Sequence, residues 1–135
     1  MNIIRFLFFI LLVLPNISLA VCMGGNPSVA EELSKASLVF TGKVREVYPV
    51  LDKVENFVEG YVYFIETNEF LKGTNIPVAV VYSENSSGRF DMEVGKEYLL
   101  FTENYENPIT INNCGNSALF SVSKETILTI KNLSK

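Results

Sequence analysis

Two cysteines stand apart in a chain of 135 residues, Cys22 in "SLAVCMGG" and Cys114 in "ITINNCGN". A thiol just beyond a long apolar run has three chemistries open to it. It can be acylated as a lipid anchor, belong to a metal-directed N-terminal motif, or form one half of a disulfide. The chain has no histidine, which removes Ser-His-Asp and Cys-His nucleophilic systems. A resident zinc would need clustered Cys, His or carboxylate ligands, and two cysteines far apart in sequence do not supply a cluster. No glycine-rich phosphate loop is present. The 15 carboxylates would allow an acid–base pair, but no spacing singles out two of them. These residues point away from an enzyme and call for neither a cofactor nor an intrinsic metal.

What precedes Cys22 decides among its chemistries. "MNIIRFLFFILLVLPNISLA" has the three parts of a secretory signal: Arg5 in the n-region, the apolar "FLFFILLVL", and Pro15 ahead of a small-residue exit. The apolar run is shorter than the roughly 20 residues that span a bilayer, so no stable membrane anchor is expected. Ser18 and Ala20 predict cleavage after Ala20, giving a signal peptide over 1–20 and one secreted or periplasmic domain over 21–135. Export to an oxidising compartment predicts a Cys22–Cys114 disulfide. A lipoprotein is the weaker alternative, because Val21 fits poorly ahead of a lipidated cysteine. All 15 acids and 10 of the 11 bases lie beyond Ala20, leaving the domain at −5. That charge argues against nucleic acid or an anionic membrane as partner, since both need a basic footprint.

The elements that must position the cysteines follow from periodicity. "NPSVAEELSKAS" predicts a short helix capped by Asn26, with Pro27 in its first turn and Val29, Leu33 and Ala36 along one face. "SLVFTGKVREVYPV" predicts a long strand with a bend or bulge at Gly42. "YVYFIETNEFLKG" predicts a second strand in which Tyr61, Tyr63 and Ile65 share a face, with a bulge near Thr67 to Asn68 returning Leu71 to it. "VAVVYS", nearly all apolar, predicts a strand buried on both faces, and "YLLFT" and "ITINNC" complete a set of five. Val122, Ile127, Ile130 and Leu133 predict a C-terminal helix starting near Ser121 or Ser123 and packing outside the sheet. Five bent strands flanked by helices fit a small closed barrel, which exposes no edge strand. Tyr61, Tyr63, Phe64 and Phe70 read as core rather than as a binding platform. Asn85 in "NSS" and Asn132 in "NLS" match a glycan-acceptor pattern and read as exposed polar residues.

In their order and spacing, "SLVFTGKVREV", "YVYFIETNEFLKG", "GKEYLLF" and "ITINNC" resemble the N-terminal domain of the tissue inhibitors of metalloproteinases, and more loosely the netrin-like domains. The resemblance covers about residues 21–116. It implies a mainly β fold, a five-stranded OB-fold barrel with short N- and C-terminal helices, and a late cysteine, Cys114, paired to the N-terminal Cys22. It also implies inhibition of a zinc metalloprotease by an N-terminal ridge, here Val21, Cys22 and Met23. In that role the Val21 amine and carbonyl would chelate the protease's zinc in trans, since both are good ligands for an open zinc position. The family's mature chains begin Cys-x-Cys; here Ala20 stands at the first cysteine, and Ser86 or Ser87 lies where its partner would be. Cleavage after Leu19 would restore the family's spacing. The alternative implied by these departures is a non-inhibitory extracytoplasmic protein-binding module on the same barrel.

Overall fold

The computed structural model describes Cys22 and residues 25–104, 108–111 and 113–135; the predicted signal peptide, Val21 and Met23 lie outside them. Two strands organise the fold, β1 (Leu38–Leu51) and β2 (Val58–Lys72), of 14 and 15 residues against the usual five or six. They coil because their antiparallel pairing slips at four points, each adding local twist. One slip falls at Gly42, as the sequence predicted. A Cβ there would stand 2.7 Å from Ile65 Cγ2 and 2.8 Å from the Glu66 carbonyl oxygen, so only glycine lets the strands approach. Gly42 pairs with Thr67 and Thr41 with Glu69, which makes Asn68 the extra residue of the expected bulge.

That extra residue flips the parity of β2. Before it Tyr63 and Ile65 face the interior; beyond it Phe70 does, stacked on Phe40 at 5.4 Å between ring centroids. Leu71, predicted on the interior face, packs against the opposite one.

β3 (Val78–Glu84) pairs with β2, and β4 (Glu97–Thr102) with the first half of β1. β5 (Ile109–Thr110) runs parallel to β3, and β6 (Ala118–Leu119) lies along the free side of β4. The order is β5-β3-β2-β1-β4-β6, a mixed six-stranded sheet whose ladder does not close into a barrel among the described residues. The predicted fifth strand "ITINNC" contributes only two ladder residues. The sixth strand, too short to show periodicity, is unforeseen.

Alternation along β1 and β4 feeds two cores. Leu38, Phe40, Val44, Tyr98 and Leu100 point into an interior shared with Tyr63, Ile65, Ala79, Val81, Phe90, Met92 and Ile109. Val39, Leu99 and Phe101 point outward, under the helices α1 (Val29–Lys35) and α2 (Lys124–Leu133), where Ala36, Ile127 and Ile130 bury them. β3 is buried on one face only, with Ala79, Val81 and Ser83 inside and Val78 exposed, so its apolar run does not mean two covered faces. In the C-terminal segment Ile127 and Ile130 are buried as predicted, whereas Val122 and Leu133 are exposed. Val122 falls in a 3₁₀ turn (Phe120–Val122) ahead of the helix.

Helix α1 is capped by Ser28, not Asn26. The Glu31 amide donates to the Ser28 hydroxyl, and the Ser28 amide donates back to the Glu31 carboxylate, a reciprocal capping box. At the other end Lys72 Nζ donates to the Leu33 and Ser34 carbonyls, at 2.6 and 3.2 Å. A cation at the carbonyl end of a helix satisfies orphan acceptors and complements the dipole. β2 thus holds α1 in place over the sheet.

Candidate functional site: the stapled N-terminal arm

Cys22 and Cys114 are joined by a disulfide across 92 positions, with Cα atoms 5.5 Å apart. This is the pairing the sequence predicted. Val21 and Met23, the other members of the proposed ridge, lie outside the described residues. The Gly25 amide donates to the Cys22 carbonyl at 3.0 Å, and Gly25 stands at φ +76°. A side chain is disfavoured in that left-handed conformation, which explains a glycine two residues after Met23.

A second set of contacts ties α1 to the Cys114 segment. Glu32 reaches from the helix to Asn116, whose backbone amide and side-chain Nδ2 both donate to Glu32 Oε2 at 2.6 Å. Asn116 Nδ2 also donates to the Pro27 carbonyl at 3.1 Å. Gly115 sits under the same carboxylate; a Cβ there would lie 2.1 Å from Glu32 Oε1. Nearer the helix start, hydrogen bonds from the Ser28 amide and hydroxyl hold the Glu31 carboxyl below its ordinary value of 4.5.

Beside the disulfide lies a cleft of about 320 Å³ with Pro27, Lys35, Phe101, Glu103 and Cys114 on its walls. Among the described residues no group of three or more His, Cys, Asp or Glu side chains is placed to hold a metal ion. No helix among them is long and apolar enough to cross a membrane.

The aromatic residues of β2 do not form one platform. Tyr63 is buried, with burial pushing its hydroxyl pKa up, and Tyr61 and Phe70 pack on the interior core. Phe64 faces the other way, edge-on to Tyr48 at 5.9 Å. Arg89 lies over the Tyr61 ring and is hydrogen-bonded to Asn85, whose Nδ2 donates to the Val58 carbonyl at 2.7 Å. Asn85 is therefore exposed yet committed to holding its loop against β2. Asn132 is exposed on α2.

The sequence reading missed the Glu32–Asn116 contact, which spans 84 positions without a local motif. Nor does any local motif mark the exposed apolar residues at the β1–β2 connection, Leu51, Val54 and Phe57. Compared with known proteins, the chain matches no family model and no curated sequence.

Proposed function

We propose that this is an exported OB-barrel protein that inhibits a zinc endopeptidase through its stapled N-terminal arm. The observation that carries this reading is the Cys22–Cys114 bond, which anchors the chain beside its expected mature N-terminus to a turn already held by α1. An arm fixed at both Cys22 and Pro27 loses little conformational entropy on entering a cleft, which favours tight binding. The free α-amine and first carbonyl ahead of Cys22 supply the zinc ligands; neutral amine nitrogen and carbonyl oxygen suit an open zinc position. The disulfide itself agrees with export into an oxidising compartment.

Support for the barrel comes from strand order and sense. In the order β5-β3-β2-β1-β4-β6, with β3 and β5 parallel, β6 covers only the Tyr98–Leu99 part of the β4 edge and leaves the end of β4 facing β5. Across the seam between them the Glu103 amide donates to the Thr110 carbonyl at 3.0 Å, and the Thr110 amide donates to Asn104 Oδ1 at 3.1 Å. The interior cluster draws side chains from β1, β2, β3, β4 and β5. An OB fold is a partly open five-stranded barrel, and a seam bridged by isolated bonds suits that description.

The test is direct inhibition. Purified protein at micromolar concentration should slow at least one member of a panel of zinc endopeptidases. Failure across the panel would favour the second reading, a binding module without inhibitory activity. That reading draws on the β1–β2 connection, where Val54 is 89 % exposed and Leu51 and Phe57 are half-exposed. A contiguous apolar patch there would suit a protein partner.

A further inference from the structure

The disulfide and the Glu32–Asn116 contacts join the same two segments, residues 22–32 and 114–116. The geometry points to a two-part clasp, in which Glu32 is a positioning residue that presents Cys22 and Cys114 to each other and keeps the arm docked when their bond is open. Two links between one pair of segments are thermodynamically coupled. Whatever the polar link contributes to formation of the disulfide, the disulfide contributes equally to the polar link. Each link raises the effective concentration of the groups that form the other.

The local chemistry is suited to the role. One carboxylate oxygen accepts two 2.6 Å hydrogen bonds from Asn116, and charge-assisted bonds of this kind are the stronger class. Asn116 then uses Nδ2 a second time, on the Pro27 carbonyl, so the contact grips both the helix and the chain leading into it. Gly115 leaves room for the carboxylate between the grip and the half-buried Cys114. Neither Glu32 nor Asn116 lies in either hydrophobic core, so their contact serves the junction between the segments rather than the packing of the sheet.

The reaction that reads the clasp is exchange with glutathione. The Cys22 and Cys114 thiols give up two electrons and two protons to one glutathione disulfide, forming the protein disulfide and two glutathione thiols. The full chain is equilibrated in buffers of reduced and oxidised glutathione, and the oxidised fraction is measured by thiol alkylation and mass spectrometry. Glu32→Ala should lower the equilibrium constant for protein-disulfide formation about tenfold, a rise of about 30 mV in the protein's reduction potential. Glu32→Gln, which keeps one acceptor oxygen for Asn116, should recover at least half of that loss on a logarithmic scale. Ile65→Val, a change in the interior core to which no α1 residue belongs, should leave the constant within twofold of the parent.

An unchanged constant in Glu32→Ala overturns the inference. So does an Ile65→Val shift of equal size, because the effect would then be one of overall stability. A Glu32→Gln loss of more than about threefold against the parent overturns it too, and that limit decides if Glu32→Ala does not fold. The use of the clasp, to aim the arm at a protease, rests on the proposed function. The glutathione equilibrium contains no protease, so a tenfold shift in a chain that inhibits nothing would refute the inhibitory reading and leave the clasp standing.

Discussion

Replacing both cysteines, Cys22→Ser with Cys114→Ser, should lower stability mainly through the denatured chain. The bond closes a loop of 92 positions, and loop-closure entropy gives it a ceiling of about 4.6 kcal/mol at 25 °C. Measured effects of native disulfides commonly fall to about 2–4 kcal/mol, because denatured chains retain structure. At about 4 °C per kcal/mol for a domain of this size, the expected fall in Tm is roughly 8–18 °C. Calorimetry gives the Tm, and urea titration separates the mechanism. A chain released from a long cross-link exposes more surface when unfolded, so the urea m-value should rise in the double variant. The serine pair leaves the Glu32–Asn116 contact in place, so the native β-sheet signal in circular dichroism should be retained. A fall in Tm below about 3 °C with an unchanged m-value would refute this reasoning, since the cross-link would then hardly restrict the unfolded chain.

Four further outcomes are expected. Gly42→Ala pushes a methyl group to 2.7 Å from Ile65 Cγ2 and should cost about 1–3 kcal/mol in chemical denaturation; an unchanged midpoint would mean β1 and β2 are not so close at the bulge. Ile130→Ala, at a fully buried site under the outer face, should cost about 2–5 kcal/mol, while Leu133→Ala on the same helix should stay within about 0.5 kcal/mol. Glu31 and Asp52 have folded-state pKa values lowered by backbone amide donors, of Ser28 for one and of Glu55 and Val54 for the other. Their stabilisation is complete above the ordinary carboxylate range and is lost as pH falls through the lowered values, so urea midpoints should drop in acid, less so in a Glu31→Gln, Asp52→Asn variant. Mass spectrometry of exported protein should find a free amine at Val21, or at Ala20 if the family spacing is kept; a blocked amine or retained leader would contradict the inhibitory arm.

The parts legible in the sequence were those written locally. Alternation marked the strands, Gly42 marked a close crossing, and an expected export marked the two cysteines as partners. Parity across the Asn68 bulge was harder, because one extra residue exchanges the faces of everything beyond it, and Phe70 rather than Leu71 reached the interior. The true cap was present as Ser28 three residues before Glu31, yet Asn26 and Pro27 offered an equally familiar helix start. "VAVVYS" looked buried on both faces because an apolar run carries no record of which face is covered; half-buried Val80 and Tyr82 and exposed Val78 lie on the open one. The grip of Glu32 on Asn116 could not be read at all, since it joins positions brought together only by the finished fold. β6 and the short β5, two residues each, fall below any detectable period.

In the proposed inhibitory role, the amine ahead of the Cys22–Cys114 staple binds the protease's zinc. One preparation with a free N-terminus is compared with the same preparation selectively carbamylated at the α-amine, both titrated against a zinc endopeptidase. A carbamylated amine cannot bind zinc through nitrogen, while fold and disulfide are untouched. The free form should inhibit stoichiometrically, and carbamylation should lower the affinity at least a hundredfold. Equal inhibition by both forms, or none by either, would contradict that role.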